Sequence, residues 1–346
     1  MRKLATSLLT VGLAFSVCGL WAQQAPTAQN PGQASSGSQN SSQQNSAAPA
    51  SPNSADQSSQ TTGQKPDIIV NVKLVNVFVT VTDAQGSPVG GLTKENFVLA
   101  EDGNPQTIAV FDKESELPIS IAMAIDTSLS TRHDLPLELA SAKRFVHAIV
   151  RPVDALDVYS FSEVVSNTTR GFTPDLKRID ESIDHIRVGA ATALYEAIWV
   201  ASRDLDRRKG RKVIVLITDG DDTISKIDYQ EAVRAAEEAE ALVYSIIIVP
   251  IENSAGRETG GEHALIQLSE DTGGKYYYAT SMAQLDDAFR KISDELRTQY
   301  LLAYYPSQRA SFSEFRRIEV KVAGVNGAAG YHVRHRAGYY TVKAEF

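Results

Sequence analysis

The chain has one cysteine, Cys18, and it lies in an apolar N-terminal stretch. A mature form without that stretch has no thiol, which excludes disulfides, thiolate nucleophiles and cysteine metal sites. Basic excess is also missing. The formal net charge is -8, so the charge balance gives no reason to expect a nucleic-acid partner. Past the N-terminal stretch, no segment reaches the ~20 apolar residues needed to span a bilayer. Gly-x-Gly-x-x-Gly and phosphate-loop patterns are absent, which argues against nucleotides. No Gly-x-Ser-x-Gly elbow occurs, and none of the six histidines completes a hydrolase pattern with Ser and Asp. His133 reads as a surface residue. These absences point away from an enzyme.

The N-terminal stretch has a layout of its own. Arg2 and Lys3 precede "LATSLLTVGLAFSVCGL" and then "WAQQ", the charged, apolar and small-residue order of a secretory signal over residues 1–22. An uncleaved anchor is the alternative. Phe15-Ser16-Val17 is a poor approach to a lipidated Cys18. Residues 23–65 are Gln, Ser, Ala, Asn, Pro and Gly, with Asp56 and Lys65 the only charges. Such a segment cannot bury enough apolar area to offset the entropy of ordering, so it reads as a tether. As a flexible coil it would span roughly 35–40 Å. An exported chain held off a membrane or cell wall is the expectation, whether periplasmic, cell-surface or secreted.

Residues 66–117 read as all β. "VNVKLVNVFVTVTD" alternates apolar and polar residues, with a slip of phase between Leu74 and Val75 that calls for a bulge or a break. "ENFVLAEDGNPQTIAVFD" reads as two strands around an Asp-Gly turn. From Pro118 the period changes. "ISIAMAI", "DVYSF", "KVIVLIT" and "VYSIIIV" are short apolar runs suited to strands covered on both faces. Helical patterns lie between and after them, at 135–150, 194–205, 229–241 and 281–296, the last opening with a capping-box pattern at Ser281. Alternation of this kind implies an α/β fold, a doubly wound, mostly parallel sheet over residues 118–298. Strands return over residues 299–346. "YYY" at 276–278 reads as a strand, and "RHR" at 334–336 as a solvated strand face. The expectation is an α/β unit inserted in, or flanked by, an all-β sandwich-like domain shared by 66–117 and 299–346. Two separate β modules are the alternative.

One short stretch carries the chemistry. "ISIAMAI" runs out of the core into "DTSLS", which places Asp126, Ser128 and Ser130 at the carboxyl end of a strand, where open α/β sheets bind ligands. Thr192, in "GAATAL" before a helix, and Asp219, after "VIVLIT", arrive at the same edge. Taken singly, each serine or threonine would be a helix cap. Asp221 and Asp222 read as a solvated turn. A phosphoryl-accepting aspartate is disfavoured, because Ser128 stands where that pattern needs a second acid. Carboxylates and hydroxyls without His or Cys suit a hard cation such as Mg2+, with Mn2+ or Ca2+ the alternatives.

"DTSLS", Thr192 and "TDG" together resemble the metal-ion-dependent adhesion site (MIDAS) of the von Willebrand factor A-type (VWA) domain. Its order is Asp-x-Ser-x-Ser, then Thr, then Asp, and all five positions are filled. The flanks "VFVTVTDAQGSPVGGLTKENFVLAEDG" and "YLLAYYP…FRRIEVKV…RHRAGYY" resemble an exported bacterial family of VWA-related proteins. One departure is "GAAT", where many members carry a second glycine near the threonine. The resemblance implies that Asp126, Ser128, Ser130, Thr192 and Asp219 hold a divalent ion whose shell a partner's Glu or Asp completes. It therefore implies an adhesion-type protein-binding module. The rival reading is a subunit that recruits partners to an envelope enzyme or assembly complex.

Overall fold

The computed structural model describes residues 74–113, 117–129, 135–249, 260–308, 314–325 and 327–341. The expected signal, the tether, Ser130 and His133 lie outside them. β1 (Val75–Thr82) points Val75, Val77, Val79 and Val81 into one core. It starts where the second phase of alternation starts, with Leu74 just before it. β2 (Phe97–Glu101) turns into β3 (Asn104–Gln106) over Asp102 and Gly103, whose φ angles are 47° and 76°. Two consecutive positive φ angles are the type I′ geometry that Asp-Gly favours. The expected second strand is in fact two. β4 (Ile108–Asp112) follows β3 after Thr107 but joins a different sheet. Pro105 has no N–H to give, and it sits accordingly in β3, an edge strand.

The α/β unit follows in chain order: β5 (Ile119–Asp126), α1 (Leu135–Ile149), β6 (Ala155–Phe161), β7 (Val165–Asn167), α2 (Leu176–Asp184), α3 (Leu194–Asp206), β8 (Arg211–Thr218), α4 (Tyr229–Glu238), β9 (Ala241–Ile248), α5 (Gly260–Asp271), β10 (Lys275–Ala279) and α6 (Met282–Arg297). The sheet order is β10-β9-β8-β5-β6-β7, parallel throughout except for β7 at one edge. Every residue of β5 and β9 is buried, because helices cover both faces. Ile121, Met123 and Ile125 pack with α1, α2 and α6, while Ala122 and Ala124 pack with α3, α4 and α5. Two helices and the edge strand β7 carry weak sequence signals. α2 buries only Ile179, Ser182 and Ile183, too short a stripe to stand out, and α5 opens on two glycines.

α6 leads almost directly into β11 (Tyr300–Tyr304), then come β12 (Phe315–Val322), β13 (His332–Arg334) and β14 (Gly338–Tyr340). β11 pairs antiparallel with β1, Val75 opposite Tyr304, and β12 pairs antiparallel with β2, Ile318 opposite Glu101. The two four-stranded sheets are β13-β1-β11-β4 and β14-β12-β2-β3. Strands from before residue 118 and after residue 299 thus interleave in both, and their inward side chains form one core.

The "RHR" stretch departs from the solvated face expected of it. Arg334 donates to the Gly274 carbonyl at 2.6 Å and to the Glu295 carboxylate of α6 at 2.5 Å. Arg336 is buried and donates to the Asn76 carbonyl at 2.6 Å. The α/β unit packs over this strand, so a face that alternation alone assigns to water is covered.

Candidate metal centre

β5, β6 and β8 run parallel, so Asp126, Phe161 and Thr218 end at one edge of the sheet. Backbone groups that the strands leave unpaired there must find partners in the loops. The Gly189 amide donates to the Thr127 carbonyl at 2.7 Å, and the Ala193 amide to the Ser162 carbonyl at 2.7 Å. The Thr223 amide donates to the Thr192 carbonyl at 2.8 Å, while the Thr192 amide donates to Thr223 Oγ1 at 2.8 Å. Loops distant in sequence are thereby laced into one surface.

Asp126 lies at the centre, fully buried. Its Oδ1 accepts from the Ser128 amide at 2.9 Å and its Oδ2 from Thr218 Oγ1 at 2.7 Å. Burial pushes its carboxyl up to about 6, against the pull of those two bonds, and the charge of Asp219 pushes the same way. Asp219 is half-buried, and its Oδ1 accepts from the Asp221 amide at 3.5 Å. Ser128 and Thr192 are buried. The structure therefore brings Asp126, Ser128, Thr192 and Asp219 to one edge, while Ser130 lies outside the described residues.

Thr192 does not cap the helix that follows it. The cap position of α3 is Ala193, which offers no side chain for the purpose. The free amides are met from another loop: Tyr195 N donates to Asp222 Oδ1 at 3.2 Å and Glu196 N to Ser225 Oγ at 3.2 Å. Asp222 is therefore a cap supplied across the fold, a correction to its reading as a turn residue. Among the described residues the Thr192 hydroxyl has no hydrogen-bond partner.

Sequence reasoning also missed Glu163. Its carboxylate accepts from the Ala190 amide at 2.8 Å, and backbone bonds of this kind hold its carboxyl down to about 2. A Cβ at Gly189 would fall 2.2 Å from Ser162 Oγ, so that approach demands glycine. Ala190 and Ala191 are not among the residues of positive φ, so the departure in "GAAT" carries no strain. The sequence signal for Thr218 was its place beside Asp219 at a strand end; Glu163 had none.

The donor set fits a hard divalent cation. Among the described residues no group of three or more His, Cys, Asp and Glu side chains could hold a metal, so hydroxyls must complete any shell. Two carboxylates whose charges disfavour each other, one of them buried, form a place where a cation relieves both penalties.

The fold is an α/β domain of the open-sheet class. Residues 121–221 match the family model described as the von Willebrand factor type A domain, so a VWA domain is present. The match runs from β5 to the loop after β8 and contains the site. No curated protein matches the chain. Among solved structures, a conserved hypothetical protein BatB from Bacteroides thetaiotaomicron is 20% identical with a TM-score of 0.42, over 52% of this chain and 100% of that one. A von Willebrand factor type A protein from Catenulispora acidiphila is 11% identical with a TM-score of 0.47, over 78% of this chain and 74% of that one. The vWF domain of the type V pili tip protein Mfa5 from Porphyromonas gingivalis is 13% identical with a TM-score of 0.40, over 51% and 94%.

Proposed function

We propose that this chain is an exported, metal-dependent protein-binding module of the adhesion type. The observation that carries the reading is the joint placement of Asp126, Ser128, Thr192 and Asp219 on loops laced together at one sheet edge. In this reading those four residues, with Ser130, form a MIDAS that holds Mg2+, or in its place Mn2+ or Ca2+. The bound ion supplies an open coordination position for a carboxylate. Two carboxylates match its charge and the neutral hydroxyls do not exceed it, so an incoming Glu or Asp still gains. Thr218 and the Ser128 amide orient Asp126, and the contacts of Glu163 and Thr223 hold the Thr192 loop against its neighbours. The sequence has no nucleophile–base pattern, so binding is proposed rather than catalysis. The signal and tether at 1–65 agree with export to the periplasm or cell surface, and the flanking strands agree with the exported bacterial VWA-related family.

Titration calorimetry on the chain without residues 1–22 tests the site. One Mg2+ or Mn2+ site is expected, absent in Asp126→Ala. A variant that binds the ion as well as the parent overturns the assignment.

A further inference from the structure

Among the described residues of the loops around the candidate metal centre, four large apolar side chains face water. Leu129 is 55% exposed, Val164 62%, Val188 42% and Ile224 44%. Each is tied to the centre through its own loop. Leu129 follows Ser128, and Val188 precedes Gly189, which bonds the Thr127 carbonyl. Val164 follows Glu163, which holds Ala190, and the Ile224 amide donates to the Thr192 carbonyl at 3.2 Å. The opposite edge of the same sheet differs. Of the large apolar residues exposed there among the described residues, Val153 stands alone. Single exposed apolar residues are ordinary, whereas several around one polar point mark a contact surface.

Val188 also belongs to a groove of 430 Å³ between α1 and the α2–α3 connection. Leu135, Leu139 and Ile186 line its wall, and Lys143 and Arg187 stand along it. Lys143 is paired with Asp184 at 2.7 Å. Arg187 Nη1 donates only to the carbonyls of Asp184 and Ile186, both at 2.8 Å, and Arg187 has no carboxylate partner among the described residues. The groove thus has an apolar wall, the Lys143–Asp184 pair and, among the described residues, one cation without a carboxylate partner.

We infer that this edge receives an extended segment of another protein in which the ion-binding Glu or Asp is flanked by bulky apolar side chains, one of them seated in the α1 groove. The inference rests on the proposed function and specifies the partner. The ion selects the carboxylate, the collar of Leu129, Val164, Val188 and Ile224 covers its neighbours, and Arg187 favours a second acidic group further along. Desolvating the carboxylate's surroundings strengthens its attraction to the ion, because the surrounding dielectric falls. An acid within a polar segment would gain the ion but leave the collar wet.

The probe is a displayed library of random dodecapeptides selected on the full chain in Mg2+, with EDTA elution. The expected winners carry Glu or Asp between large apolar residues. Their synthetic forms should lose about five- to tenfold in affinity on Val188→Ser and on Ile224→Ser. Mg2+ binding by the two variants stays at the parent value, and Val153→Ser has no effect on peptide affinity. Mg2+-dependent winners with polar flanks, or indifferent to both collar substitutions, overturn the inference and leave the metal reading standing. Selection of no Mg2+-dependent peptide sinks both.

Discussion

Asp126 is held between opposed forces. Burial and Asp219 favour its neutral form, whereas Ser128 N and Thr218 Oγ1 favour its charge. Thr218→Val keeps the shape of that side chain and removes its hydroxyl, which also accepts from the Gly220 amide at 3.1 Å. The loss should cost about 1–3 kcal/mol of stability, since buried polar groups are left short of a partner. The Asp126 carboxyl should rise further and Mg2+ affinity should fall. Urea unfolding and calorimetry on the same variant check the two effects, and parent-like values in both would remove Thr218 from the site. Asp126 is legible in the sequence because it ends an apolar run. Its partner is not, because the two residues stand 92 positions apart.

α4 and α6 bear on the seam between the α/β unit and the β sandwich. Glu237 near the end of α4 has its carboxyl pushed up to about 7, chiefly by burial and next by Asp271, against the pull of Arg336 and Arg234. A carboxyl raised in the folded state stabilises at low pH. That contribution is present below the ordinary value of about 4.3 and is lost as pH climbs through about 7. Glu237→Gln should therefore flatten the fall in stability over that window, and stabilise by about 1–3 kcal/mol at pH 8. Thermal melts from pH 4 to 8, parent against variant, measure it; parallel curves would contradict the assignment. Asp126 titrates with the same sign and is cancelled by the comparison.

On α6, Phe289 stacks on Phe145 of α1 at 4.7 Å, and Glu295 accepts from Arg334 and from Tyr277. Arg334→Met leaves the Glu295 charge buried with Lys275 at 3.6 Å as a weaker neighbour. The loss should reach about 3 kcal/mol, and adding Glu295→Gln should recover part of it. Additive losses in that double-mutant cycle would show that the ion pair does not couple α6 to β13. The helical period of α6 was readable from its stripe of apolar residues, but the carboxylate anchoring its end to another sheet was not.

Across the whole molecule, the two four-stranded sheets depend on strands from both ends of the described chain. β11 lies between β1 and β4, and β12 between β14 and β2. A truncated chain starting at Leu117 removes β1 to β4, leaving β11 and β12 with edges that a small sheet cannot tolerate. Amide exchange in β11 and β12 should then approach that of an unfolded chain, while β5, β8 and β9 keep protection. Protected amides in β11 of the truncated chain would mean that it stands without β1.

The sequence by itself determined the α/β class, the change of period at Pro118 and the strand that delivers Asp126. Each of these is local: side-chain period follows backbone geometry, and a strand end places its last side chains wherever the strand goes. Only the tertiary structure decided that Asp222 caps α3, that Glu163 holds the Thr192 loop, that Arg334 pairs with Glu295 and that Arg336 is buried. It likewise decided that the chain after Asp102-Gly103 splits between two sheets. Backbone hydrogen bonds are nearly the same for every residue, so they do not by themselves choose strand partners. That choice comes from the packing of side chains brought together from distant parts of the chain.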